Sequence, residues 1–195
     1  MILYIRDKNS TLENSFLERV FSCLFFKWEV SMIIRKKEFK DCDDWIDVHT
    51  RSWMLLDGVV SPRILNILLE SRDLRIKRER EDFCSSDWNF VLEKDNHVIG
   101  IMILKKSNRV GFENCGEIDA LYLDPNEIGK GYGKLLFLKA CEEFQRKGYS
   151  NFIVGCLNGN PSNGFYQHIG GQFIRQDSWD VLEQHYMENV YKYSL

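Results

Sequence analysis

The sequence predicts a mixed α/β domain: one central, mostly antiparallel sheet of six to seven strands with helices on both faces. Three observations carry that expectation. Apolar runs rich in β-branched residues recur at strand length, as in "VSMIIRK", "HVIGIMILKK" and "NFIVGCL". Two strand-like runs, "NFVLEKD" (89–95) and "HVIGIMILKK" (97–106), meet at Asp95-Asn96, a tight-turn signal that predicts a hairpin. "GEIDALYLD", a long amphipathic run and "NFIVGCL" (151–157) read as strand, helix, strand, which calls for a parallel crossover over 116–157.

In chain order, Leu12, Phe16, Val20 and Leu24 stand at helical spacing and predict an amphipathic helix over 11–27. Its apolar face needs cover from its own domain or from a partner subunit, as in a homodimer. Residues 1–31 read as an N-terminal extension and 32–195 as the domain. A strand is expected near 30–36. "DCDDWIDVHTRSWMLL" follows as a helix with Asp41 or Asp43 as N-cap. Ser61-Pro62 opens a second helix, "PRILNILLESRDL", with Pro62 in its first turn. Beyond the hairpin and the crossover, "PSNGFYQHI" (161–169) is a short helix. The remainder predicts two closing strands with a loop between them. The expected order is therefore strand, two helices, three strands, helix, strand, helix, two strands.

Composition narrows the function. The 195 residues are 44% hydrophobic, enough to bury a core. A net charge of -3 argues against nucleic-acid binding through bulk charge. Cys23, Cys42, Cys84, Cys115, Cys141 and Cys156 show no C-x-x-C spacing and read as free thiols. His49, His97, His168 and His185 form no metal-ligand cluster. "VFSCLFF" is too short to span a bilayer, and no small-residue cleavage site follows it. The expectation is a cytoplasmic protein with no metal, membrane or nucleic-acid partner.

The most informative stretch is "LDPNEIGKGYGKLL", where Gly129, Gly131 and Gly133 fall between a strand and a helix. Each helical glycine costs about 1 kcal/mol relative to alanine. At a helix start the same residues let unpaired N–H groups approach an anion at the positive end of the dipole. Lys130 and Lys134 add positive charge. A tight connection would need only one glycine. The ligand is not that of a P-loop, because Gly129 and Gly133 are one residue too close and Leu135 follows Lys134. A G-x-G-x-x-G dinucleotide fingerprint fails as well, at Leu136.

What remains resembles the GNAT superfamily of N-acetyltransferases, whose signature at this junction is (Arg/Gln)-x-x-G-x-(Gly/Ala). Gly131 and Gly133 occupy the glycine positions, and Ile128 stands where Arg or Gln is usual. "NPSNGFYQHIGG" resembles a second family segment, with Asn160, Pro161, Phe165, Tyr166, Gly170 and Gly171 in place. The resemblance covers residues 30–195. It implies that acetyl-coenzyme A is the cosubstrate and an amine the acceptor. It also implies that the sheet splays beside the strand, so that the backbone of Leu121, Tyr122 and Leu123 pairs with pantetheine. The turn of Ile128, Gly129, Lys130, Gly131, Tyr132, Gly133 and Lys134 would hold the pyrophosphate. Asn160 would bond the pantetheine arm as well as cap the short helix.

Glu117 is the candidate base. The resemblance places a catalytic glutamate on this strand, and simple alternation puts Glu117, Asp119, Leu121 and Leu123 on one face, with Ile118, Ala120 and Tyr122 on the other. Two neighbouring carboxylates would raise each other's pKa. Solvated or salt-bridged acids are the alternative reading. Tyr166 is the candidate acid for the leaving thiolate, or else a core aromatic packed with Phe165. His168 reads as outward-facing. The segments 40–75 and 174–190 are expected to build the acceptor pocket from Trp45, Trp53, Asp57, Asp177, Trp179, Asp180, Glu183 and Tyr186, a mixture suited to a cationic amine. A coenzyme-binding sensor without catalysis and a purely structural domain are the competing readings.

Overall fold

A computed structural model describes residues 32–84, 86 and 88–195, so the helix expected over 11–27 lies outside the described residues. The chain enters through β1 (Met32–Lys36) and then forms three helices, α1 (Cys42–Met54), α2 (Pro62–Glu70) and α3 (Arg72–Glu81). Two helices were expected here. Ser71 divides the second: its N–H and its hydroxyl both donate to Ile67 O, at 2.9 and 2.6 Å, and the chain restarts as α3. That helix is so charged that only Ile76 is buried, which hides its period in the sequence. Asp41 stands at the N-cap of α1, but its carboxylate turns away from the helix. It accepts from Glu38 N at 2.7 Å and from Arg35 Nη1 and Nη2 at 2.6 and 2.8 Å.

β2 (Asn89–Lys94), β3 (His97–Lys106) and β4 (Gly116–Leu123) extend the sheet antiparallel from β1. Then come α4 (Tyr132–Arg146), β5 (Asn151–Leu157), α5 (Ser162–His168), β6 (Gln172–Val181) and β7 (Gln184–Ser194). The strand order is β1-β2-β3-β4-β5-β7-β6, and β4–β5 is the parallel pair. The expected hairpin turns at Asp95 and Asn96, both left-handed at φ 52° and 64°. The loop expected between the closing strands is a second turn of the same kind, at Leu182 (φ 48°) and Glu183 (φ 61°). Neither of those residues favours that conformation.

Strand alternation sends two apolar sets to opposite faces. Met102, Leu104, Ile118, Phe152 and Val154 pack with Leu136, Phe137, Ala140 and Phe144 of α4. Val91, Val98 and Ile101 pack with Trp45, Ile46 and Val48 of α1 and Ile76 of α3. Gly116 has to be small for α4 to seat, since a Cβ there would lie 2.3 Å from the Phe144 ring.

Two irregularities in β4 position the site. Its pairing with β5 covers only Gly116–Phe152, Glu117–Ile153 and Ile118–Val154. Beyond these rungs β4 stays with β3 while β5 continues with β7, and the sheet opens. The register with β3 also jumps from Ile103–Ala120 to Leu104–Ile118, which leaves Asp119 without a partner. That bulge inverts the alternation. Ile118 joins Leu121 and Leu123 on the α4 face, and Tyr122 lies on the α1 face. The expected arrangement, with Glu117 sharing a face with Leu121 and Leu123, is thereby overturned.

Candidate active site

The opening between β4 and β5 exposes one edge of β4. Asp124 N donates to Ile99 O at 2.8 Å, so alternation also turns the peptide groups of Tyr122 and Ala120 towards β3. Those of Leu121 and Leu123 face the opening, where Ser52 Oγ donates to Leu123 O at 2.5 Å. Of the three backbone positions expected to meet pantetheine, Leu121 and Leu123 therefore face the opening and Tyr122 faces β3. Tyr122 reaches the site through its side chain instead. Its phenol accepts from Trp53 Nε1 at 3.2 Å, and its ring meets the His49 imidazole edge-on at 5.1 Å.

The glycine turn begins where a short 3-10 turn, Pro125–Glu127, ends. Gly129 and Gly131 adopt φ of 81° and 85°, with open space where a Cβ would stand, so conformation and not crowding demands glycine. Gly131 is the left-handed residue from which α4 starts. Among the described residues, the N–H groups of Gly129, Lys130, Gly131, Tyr132 and Gly133 have no acceptor. Five successive unmet donors at a helix N-terminus form an anion cradle. Gly133 has a different duty: a Cβ there would touch the Phe165 ring at 3.5 Å, so this position brings the two motif segments together.

The turn's charge is not distributed as expected. Lys130 Nζ lies 3.1 Å from Glu127 Oε2, and Lys94 also pairs with Glu127. Burial opposes ionisation of Glu127, but the two lysines hold its carboxyl below the usual range. Lys134 has no ion-pair partner among the described residues. Ile128 is extended and 53% exposed.

Glu117 is 1% exposed. Glu117 and Asp119 each meet a cation. Arg109 Nε donates to Glu117 Oε1 at 2.8 Å, and Lys105 Nζ lies 2.5 Å from Asp119 Oδ1. Glu117 Oε2 is buried and has no hydrogen-bond partner among the described residues. Arg109 also reaches Glu188 at 2.8 Å and Asp177 at 3.5 Å. Arg109 and Glu188 were missed from the sequence, since a loop arginine and a strand glutamate carry no motif.

Tyr166 is buried on α5. Burial foremost, then the nearby Cys156, Tyr193 and Tyr122, push its phenol far above the ordinary value, so it stays neutral. Asn160 Oδ1 accepts from Ser162 N at 2.8 Å, the capping role expected of it. Asn163, also missed, ties α5 down. It donates to Leu157 O at 2.8 Å and accepts from Tyr191 OH and Asn189 Nδ2, both at 2.9 Å. Cys156 is pushed up to about 12 by burial and then by Glu188. His168 is exposed, as expected.

The segments expected to build the acceptor pocket meet beside Tyr122. Trp179 lies 5.9 Å from both Trp53 and Tyr186, and Ser61 N donates to Tyr186 OH at 3.0 Å. Trp45 lies elsewhere, in the core beneath Lys37, and Asp180 pairs with His185 at 2.6 Å on the surface. Asp57 and Glu183 are exposed. His49 joins this group unforeseen, stacked on Trp53 at 5.7 Å. Arg75 Nη2 donates to its Nδ1 at 2.8 Å, which leaves the proton on Nε2. Burial and Arg75 push its pKa down to about 4. The described residues contain no cluster of metal-ligand type, and no helix among them is long and apolar enough to cross a membrane.

The description "Acetyltransferase (GNAT) family" belongs to a sequence model that matches residues 62–170. YuaI of Bacillus subtilis, an uncharacterized N-acetyltransferase, is 24% identical over 153 residues, covering 76% of this chain and 84% of its own. The PaiA N-acetyltransferase of Thermoplasma acidophilum, solved with coenzyme A, is 22% identical. It superposes with a TM-score of 0.62 over 85% of this chain and 99% of that one. A GCN5-related N-acetyltransferase from Rhodopseudomonas palustris is 14% identical, with a TM-score of 0.66 over 86% and 99%. The family match spans more than half of the sequence and the fold is shared, so this chain belongs to the GNAT acetyltransferase family and is an acyltransferase.

Proposed function

We propose that the protein transfers an acetyl group from acetyl-coenzyme A directly to a primary amine of a small molecule, peptide or protein. The observation that carries this is the run of five unmet N–H groups at residues 129–133, beside the exposed edge of β4. The cradle suits a pyrophosphate, with Lys134 as its free cation, and Leu121 and Leu123 offer peptide groups to an extended arm in the manner of an added strand. Asn160, capping α5, stands ready to bond the same arm.

In this reading an ammonium acceptor gives one proton to the Glu117 carboxylate, and the freed nitrogen attacks the thioester carbonyl. The tetrahedral adduct expels the thiolate, which takes the Tyr166 phenol proton. The second proton lost from nitrogen returns to Tyr166 through solvent. The net release is one amide, one thiol and one proton. The acceptor lies against Trp53, Tyr122, Trp179 and Tyr186, with the acidic groups of Glu188 and Asp177 behind it. That lining favours a cation with an apolar body.

Two measurements test the reading together. Thermal unfolding is followed with acetyl-coenzyme A, with NAD and ATP as controls. Saturation at about 100 times Kd adds roughly 2.7 kcal/mol, a rise of about 5–11 °C. Thiol release is then followed over a panel of primary amines. A rise without turnover on any amine would favour the sensor reading, and no rise would remove coenzyme binding altogether.

A further inference from the structure

Arg109 belongs to no family motif, yet it joins three strands. Its Nε meets Glu117 of β4, while its Nη1 meets Glu188 of β7 and approaches Asp177 of β6. Beneath it is Gly155 of β5, where a Cβ would stand 2.6 Å from Arg109 Nη2 and 2.8 Å from Glu188 Oε2. A side chain at residue 155 would have to push the guanidinium and the Glu188 carboxylate from these positions. The clamp sits at the last paired rungs before β4 and β5 part. It also treats the two oxygens of Glu117 differently. Arg109 at 2.8 Å and Lys105 at 3.8 Å both approach Oε1, and Oε2 is left buried without a hydrogen-bond partner among the described residues. A buried acceptor left unmet is unfavourable, and the fold retains it.

We propose that Arg109, seated over Gly155, is a positioning residue. It fastens Oε1 of Glu117 so that Oε2 is the oxygen presented to the proton leaving the acceptor amine. This rests on Glu117 being the proton acceptor. The charged groups around Glu117 are Lys105 of β3, Asp119 of β4, Arg109 of the β3–β4 loop, Asp177 of β6 and Glu188 of β7.

The test follows thiol release against pH with tyramine, spermidine and glycinamide as probe amines, in the full-length wild type and in Arg109→Ala, Arg109→Lys, Gly155→Ala and Glu117→Gln. Arg109→Ala should lower kcat/KM by about tenfold to hundredfold, the scale of a misplaced reacting group. Its acid limb should move to higher pH, because a carboxylate that loses an adjacent cation is protonated more readily. Added guanidinium ion should restore part of the rate. Arg109→Lys keeps the charge and loses the fork, so kcat should fall with the acid limb near its wild-type position. Gly155→Ala should lower kcat as well, although every charged group remains. A wild-type acid limb in folded Arg109→Ala, with Glu117→Gln inactive, overturns this proposal alone. If Arg109→Ala does not fold, unchanged kcat in Arg109→Lys and Gly155→Ala overturns it. A Glu117→Gln enzyme with the wild-type profile overturns the proton-acceptor reading and this inference with it.

Discussion

Glu117 and Asp119 stand two residues apart, yet they live in different environments, one buried on Arg109 and the other exposed on Lys105. Glu117→Gln should lower kcat by about 10²–10⁴-fold, the usual contribution of a general base, and flatten the acid limb of the pH profile. Stopped turnover with the best amine of a panel reads this, and an unaltered profile would remove the residue from the chemistry. Tyr166→Phe should lower kcat while leaving KM for acetyl-coenzyme A nearly unchanged, if the hydroxyl acts on the leaving thiolate as proposed; full activity would make it a packing residue. His49 carries a separate consequence. Its folded pKa of about 4 lies below the unfolded value of 6.5, so its contribution to stability is complete above about pH 6.5 and is lost as pH falls towards 4. Melting curves across that range should show a smaller loss in His49→Gln than in the wild type.

At the scale of the element, the start of α4 and the start of β4 use glycine for opposite reasons. Gly131 is in open space at φ 85°, so Gly131→Ala meets no clash but costs about 1–2 kcal/mol of left-handed backbone strain. The strain should tilt the cradle, and coenzyme affinity measured by calorimetry should fall; an unchanged Kd would show that the turn does not need its left-handed step. Gly116 has an ordinary φ but no room. Gly116→Ala drives a methyl into Phe144 and should destabilise the fold by about 1–3 kcal/mol in a denaturant melt, with coenzyme affinity retained.

At the scale of the whole molecule, the strands and core clusters among the described residues make up one domain over residues 32–195. We propose that residues 1–31 are an extension to this domain. A chain beginning at Met32 should therefore unfold cooperatively and answer acetyl-coenzyme A with the same rise in melting temperature. Loss of a cooperative transition would assign the first 31 residues to the fold.

Local chemistry made the strands, the first hairpin, the crossover, the glycine turn and the capping asparagine legible, because each depends on residues close together in the chain. Gly129 and Gly131 announce left-handed backbone wherever they occur, and Asp95-Asn96 announces its turn. The division of 62–81 into two helices was hidden by a charged stretch with one buried residue, Ile76. The face of Glu117 was misread for a deeper reason. Alternation is a property of a strand paired in register, and the bulge at Asp119 exists only in the pairing of β4 with β3. The same holds for Arg109 over Gly155, for Glu188 and for His49. Their roles come from residues tens of positions away, which only the folded sheet brings within a few ångströms. The sequence alone determined the glycine turn at the start of α4, since unmet N–H groups and positive φ are local. The tertiary structure decided which oxygen of Glu117 is free, because side-chain electrostatics are settled by neighbours in space.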